Sequence, residues 1–158
     1  MLGRQYEGQN CSIARTLEVV GERWTLLIIR DALTGIHRFD EFQQSLGIAT
    51  NVLSNRLDRL VDNGILTRTQ YQDRPARFEY HLTGQGRELA VPVLAFMQWG
   101  DRHLAGPQGP PRLVRHATCD GVVTERHVCA NCGPIDSGIS ILPGPGLHPA
   151  ENLAAADR

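Results

Sequence analysis

Apolar positions recur at helical spacing through much of the first hundred residues, and the clearest run is 38–82. Phe39, Phe42 and Leu46 fall at i, i+3 and i+7, which predicts a short helix over 39–46. Gly47 supplies its stop, since a residue without Cβ takes positive φ at a helix end. A second helix is expected over 50–63, capped by the Thr50 hydroxyl and closed by Gly64. Its apolar stripe is Val52, Leu53, Leu57, Leu60 and Val61. Two helices joined by a short turn containing glycine have helix-turn-helix geometry. The period then changes to two. Residues 65–71 and 78–82 read as strands, with Phe78, Tyr80 and Leu82 on one face and Glu79 and His81 on the other. The connection, Gln72 to Arg77, brings Arg74 and Arg77 to the tip.

Helical patterns flank this run. Residues 11–20 form an amphipathic segment with Ile13, Leu17 and Val20 on the side expected to be buried and Ser12 as a candidate cap. Residues 22–33 are apolar nearly all round, with Trp24, Leu27, Ile28 and Leu33 flanked by Leu26 and Ile29, so a central buried helix is expected. Residues 83–104 carry a stripe of Leu89, Val93, Phe96 and Trp99 behind a Thr83 cap. Pro92 should bend or split that helix near Ala90. This stripe exceeds what so small a domain can cover, which points to a second copy of the chain as its partner. The fold class expected is mainly α with a small β-hairpin wing.

The polar positions left over by the second helix point to chemistry. They are Asn51, Ser54, Asn55, Asp58, Arg59 and Asp62. Asn can bridge adenine N6 and N7, and Ser serves several base edges, so the N-terminal half of this face suits a major groove. The site expected from this pattern places Asn51, Ser54 and Asn55 on base edges and Thr50, Arg38, Arg56 and Arg59 near phosphates. Arg74 and Arg77 would reach the adjacent minor groove, whose negative potential favours arginine. Arg56 neighbours the buried stripe and has an internal pairing with an acid as its alternative. The bland reading of the whole surface is a solvated helix face beside an ordinary charged hairpin.

Charge adds little. The formal net charge is −1, and all 16 basic residues are arginine. Between Arg38 and Arg77 six arginines face five acids (Asp40, Glu41, Asp58, Asp62 and Asp73), so long-range steering of a monomer toward DNA should be weak. Hydrophobic content of 41% suffices for a packed core. The first ten residues are polar, unlike a signal peptide, and no run approaches the ~18 apolar residues of a membrane span, so a cytoplasmic protein is expected.

The organisation expected is an N-terminal arm (1–10), a winged helix domain for DNA binding and dimerisation (11–105), a linker (106–111), a small Cys/His-containing extension (112–136) and a disordered tail (137–158). Within the extension, His116-x2-Cys119 and Cys129-x2-Cys132 are two pairs at knuckle-like spacing. They could supply a structural zinc site of one histidine and three cysteines, with His127 a competing ligand. Packed free thiols and a disulfide or redox switch are the other two readings. Cys11, at the positive end of the first helix, sits where peptide dipoles favour a thiolate, against a buried inert thiol as the alternative.

Taken together and in order, these motifs resemble the HxlR family of bacterial winged-helix regulators, relatives of the MarR type. The resemblance rests on Cys11, on VVGERWTLLIIRDALTG (19–35), RFDEF (38–42) and LSNRLDRLVDNGIL (53–66), and on RPARFEYHLTGQGREL (74–89) and WGDRHL (99–104). It covers residues 9–104 and implies a homodimer that binds double-stranded DNA and regulates transcription, with repression the expected output and response to a ligand or oxidant an option. Some members of that family sense oxidants with a cysteine at the position of Cys11. Two rivals differ in class. One is a thiol-disulfide redox enzyme using Cys129 and Cys132, although no βαβ pattern flanks them, and no P-loop, HExxH or GxSxG motif is present. The other is a winged helix used for protein contacts alone.

Overall fold

The computed structural model describes residue 6 and residues 9–146. Two compact units result, residues 1–123 and residues 124–158, so the division falls inside the 112–136 extension. The elements of the first unit are α1 (Ser12–Val20), α2 (Thr25–Leu33), α3 (Phe39–Leu46), α4 (Thr50–Asp62), β1 (Leu66–Asp73), β2 (Ala76–Leu82), α5 (Gly84–Glu88) and α6 (Ala90–His103). The second unit holds β3 (His127–Cys129) and β4 (Gly133–Ile135).

The core of the first unit is built from the predicted stripes. Ile28 and Ile29 of α2, Phe42 of α3, and Leu53, Leu57 and Leu60 of α4 are wholly or almost wholly buried. Tyr80 closes the core from β2, and Val93 from α6. Gly47 (φ +60) and Gly64 (φ +70) adopt the left-handed conformation that ends the two central helices. Asp31 is a buried charge, paired through Oδ1 with Arg30 Nη2 at 2.7 Å.

Several local expectations are corrected. Residues 22–24 are not helical, because Trp24 takes φ +81 and becomes the N-cap of α2. Thr50 is the first residue of α4, not its cap; Ala49 holds that position, and the Thr50 hydroxyl accepts from Gln43 Nε2 at 2.8 Å. Ser12 likewise begins α1, with Cys11 as its N-cap. Ile13 is 67% exposed and Leu17 is also exposed, so of the α1 stripe only Val20 enters the core. Both wing strands run further than their apolar alternation suggested, leaving Arg74 and Pro75 as the turn.

The long C-terminal helix divides as Pro92 requires. α5 ends at Glu88 and α6 begins at Ala90, which places Pro92 in the first turn of α6, where its missing amide costs no hydrogen bond. Thr83 caps α5 by accepting from the Gly86 amide at 3.0 Å. Val93 is buried, whereas Phe96 (64% exposed) and Trp99 (52% exposed) of the same stripe face outward. No helix among the described residues is long and apolar enough to cross a membrane.

Candidate nucleic-acid interface

β1 and β2 form an antiparallel hairpin with a bulge between Gln70 and Gln72. The segment before α3 ties this wing down. Arg38 forms a bridge with Glu79, the Tyr80 amide donates to His37 O at 2.8 Å, and Arg38 Nε donates to Glu79 Oε1 at 3.0 Å. The side-chain hydrogen bond from Arg38 holds the Glu79 carboxyl below its ordinary pKa, and the same bond raises that of Arg38. The Arg38 guanidinium also lies 4.8 Å over the Tyr71 ring. Its outer face remains half-exposed, at the joint of α3 and the wing.

Asn51, Ser54 and Asn55 are exposed, on the face of α4 opposite Leu53, Leu57 and Leu60. Thr50 is exposed beside them. A helix of 13 residues spans about 20 Å at ~1.5 Å per residue, long enough to cross a major groove. Arg74 occupies the wing turn and Arg77 pairs with Gln72 just behind it; both are exposed. Helix face, helix joint and wing tip are therefore separate exposed polar groups.

Arg56 and Arg59 are placed differently from expectation. Arg56 Nη2 meets Glu22 Oε2 at 2.6 Å, its Nη1 donates to Asn55 Oδ1 at 2.7 Å, and the side chain is only 17% exposed. Arg59 meets Glu22 Oε1 at 3.0 Å and donates to Glu18 O at 3.0 Å. The pair ties α4 to the segment around α1, so both guanidiniums are engaged inside the chain. For Arg56 that alternative was visible from its place beside the apolar stripe.

Sequence reasoning missed Tyr71, Glu79 and Gln43 as the groups that position Arg38 and Thr50. Tyr71 stands at the bulge, and no local pattern marked it. Glu79 could be assigned to the face opposite Tyr80 but not to a particular partner.

All four cysteines are free thiols. Cys11 is exposed, and the backbone amides of Ala14 and then Ile13, at the start of α1, lower its pKa. His116 Nδ1 lies 3.2 Å from Cys119 Sγ within the first unit. In the second unit the amide of Asn131, then that of Cys132, then the Cys132 thiol lower the pKa of Cys129. Among the described residues no three His, Cys, Asp or Glu side chains are gathered into one metal cage.

Comparison with known proteins agrees with this geometry. The model of the HxlR-like helix-turn-helix matches residues 19–108. An uncharacterized HTH-type transcriptional regulator of Mycobacterium tuberculosis is 43% identical over 155 residues, 98% of this chain and 97% of that one. PA1607, solved by crystallography and described as a candidate transcription factor, superposes with a TM-score of 0.74 at 32% identity over 84% of this chain and 96% of its own. The reduced form of the redox regulator HypR gives a TM-score of 0.55 at 32% identity, over 58% of this chain and 92% of its own. With its helix-turn-helix and wing in place, the chain belongs to the HxlR-like helix-turn-helix family of transcriptional regulators.

Proposed function

We propose that the chain acts as a homodimeric repressor that reads double-stranded DNA with α4 and the wing. The observation that carries this reading is the exposed row Asn51, Ser54 and Asn55 on α4 beside a hairpin that ends in Arg74. Asn51, Ser54 and the free amide edge of Asn55 supply donors and acceptors to base edges. Thr50 and Arg38 lie at the flank, where phosphates run, and Arg74 with Arg77 enters the minor groove. The exposed apolar residues Val91, Phe96 and Trp99 of α6, with Ile13 and Leu17 of α1, support pairing with a second copy. Repression follows if the dimer occludes a promoter.

An oxidant-responsive output rests on Cys11. An exposed thiol held below its ordinary pKa carries more thiolate at a given pH than an ordinary one, and HypR is described as a redox regulator.

Selection of bound DNA from random sequence tests the reading directly. A two-fold motif with half-sites ~34–36 Å apart, one helical turn, is expected for a dimer presenting two α4 helices. Recovery of unbiased sequence, with affinity indifferent to salt, would reject it in favour of a winged helix that contacts proteins.

A further inference from the structure

The second unit has no core of its own. Among its described residues, 124–146, none is buried, and within the hairpin Cys129, Gly133 and Ile135 reach half-burial. β3 and β4 pair over three residues each, with His127 opposite Ile135, Val128 opposite Pro134 and Cys129 opposite Gly133. A two-stranded hairpin this short is not stable by itself in water, and small units without a core hold a fold through cross-links or partners.

The turn of this hairpin carries two thiols. Ala130, Asn131 and Cys132 connect the strands, so Cys129 ends β3 and Cys132 ends the turn. Gly133 takes φ +80, a conformation that favours glycine, and returns the chain into β4 directly after Cys132. Cys129 faces Gly133 in the ladder, where facing Cα atoms lie about 4.5–5.5 Å apart, and Cys132 is the next residue. A disulfide spans Cα atoms about 4.4–6.8 Å apart, which is the scale of this turn. The electrostatics agree. The Asn131 amide, the Cys132 amide and the Cys132 thiol, in that order, draw the Cys129 pKa below its ordinary value, which requires all three to stand around its sulfur. Both cysteines are free thiols, Cys132 exposed and Cys129 half-buried, so neither is sealed from solvent.

We propose that Cys129 and Cys132 form a dithiol that hydroperoxides oxidise to an intramolecular disulfide, closing the turn between β3 and β4. The Cys129 thiolate attacks the terminal oxygen of the hydroperoxide and the O–O bond breaks. Cys129 becomes a sulfenic acid, and the departing alkoxide (hydroxide from hydrogen peroxide) takes up the proton that the thiol released. The Cys132 sulfur then attacks the Cys129 sulfur, the S–O bond breaks, and hydroxide leaves with the Cys132 proton as water. Two thiols and one hydroperoxide thus give one disulfide, one alcohol and one water, and the two electrons come from the two sulfurs. The closed loop holds Ala130 and Asn131, and the cross-link is the constraint that a unit without a core lacks. The inference does not rest on the DNA-binding reading, and it is separate from Cys11, which lies in the first unit.

The test uses the full chain, reduced with dithiothreitol, desalted and treated with a small excess of hydrogen peroxide. Peptide mapping without reduction should find Cys129 and Cys132 joined within one peptide, lighter by two hydrogens. In a Cys11→Ser, Cys119→Ser double variant the two remaining thiols should disappear together. Cys132→Ser should stop at the Cys129 sulfenic acid, trapped by dimedone, whereas Cys129→Ser should leave Cys132 unlabelled. Proteolytic cleavage within residues 124–146 should slow several-fold on oxidation and recover with dithiothreitol. Far-ultraviolet circular dichroism of each variant should match the parent, which separates thiol loss from unfolding of the helical unit. Thiols that survive the peroxide overturn the proposal, as does their loss as chain-to-chain disulfides or as sulfinic acid. Dimedone labelling of Cys132 in place of Cys129 overturns the order of attack, and cleavage unchanged by disulfide formation overturns the closing of the turn.

Discussion

Arg56 of α4 donates to the Glu22 carboxylate at 2.6 Å across 34 residues of chain, and Arg59 reaches the other oxygen of the same carboxylate at 3.0 Å. One acid thus holds two arginines of α4. Partly exposed ion pairs contribute about 0.2–1 kcal/mol each, so Glu22→Ala should lower unfolding stability by about 1 kcal/mol, read from the denaturant midpoint. Arg56→Ala should cost a similar amount and leave the slope of log K against log salt for DNA binding unchanged. A slope reduced by about 0.9 would return Arg56 to the phosphates.

Arg74 gives the opposite signature. It occupies the wing turn with no ion pair among the described residues. Arg74→Ala should weaken binding to every sequence and reduce the salt slope by about one. Asn51→Ala or Asn55→Ala should instead cost about 1–3 kcal/mol on the preferred site and little on unrelated DNA. Fluorescence anisotropy at several salt concentrations, with preferred and scrambled duplexes, separates the two classes.

What could be read from the sequence was what is local. The span 39–46 needed only three apolar residues in register and a glycine that could go left-handed, and α3 has those bounds. The break near Ala90 followed from the geometry of proline alone. The pattern also identified the α4 face that carries Asn51, Ser54 and Asn55, because apolar spacing fixes which side is buried. It could not say where a charge 30 or 40 residues away would land, which is why Arg59 was assigned to phosphates alone, the acid that meets Arg56 was not named, and Arg38 was not linked to Glu79. Nor did the amphipathic pattern of α1 disclose that Ile13 and Leu17 stay exposed. Trp24 was readable as a core anchor, but its positive φ arises from how the chain enters α2 and left no local mark.

Gly86 is required for a steric reason that the neighbouring Gly84 lacks. A Cβ at Gly86 would lie 2.2 Å from the Ile65 carbonyl oxygen and 3.0 Å from Leu82 Cδ2, whereas nothing lies within 4 Å of one at Gly84. Gly86→Ala should therefore destabilise by about 1–3 kcal/mol through forced displacement of α5. Gly84→Ala should be neutral or gain up to about 1 kcal/mol from helix propensity. Equal effects in thermal denaturation would contradict the close approach of α5 to the strand entry.

The two halves of the α6 stripe should separate folding from assembly. Val93 is in the core, so a charge there unfolds the first unit. Phe96 and Trp99 are exposed, so Phe96→Glu with Trp99→Glu should turn the proposed dimer into folded monomers that bind DNA far more weakly than the parent. Sedimentation velocity with circular dichroism checks both points. A double variant that remains a dimer would move the interface away from α6.

Cys11 should titrate as an activated thiol. The Ala14 and Ile13 amides at the start of α1 favour the thiolate, so its pKa is depressed while the helix is folded. The alkylation rate at Cys11 should accordingly rise with pH through a midpoint below that of an ordinary thiol, and below the midpoint of the same residue in denatured protein. The sign follows from linkage: with a depressed folded pKa the stabilisation is fully present above the pKa of the unfolded thiol and is lost as pH falls from there through the folded pKa. To isolate the site, the measurement compares the parent with Cys11→Ser by mass-resolved labelling. The same pair tests signalling. Oxidant should change DNA affinity in the parent and leave Cys11→Ser unaffected. A Cys11→Ser variant that still responds would assign the sensing to Cys119, Cys129 or Cys132.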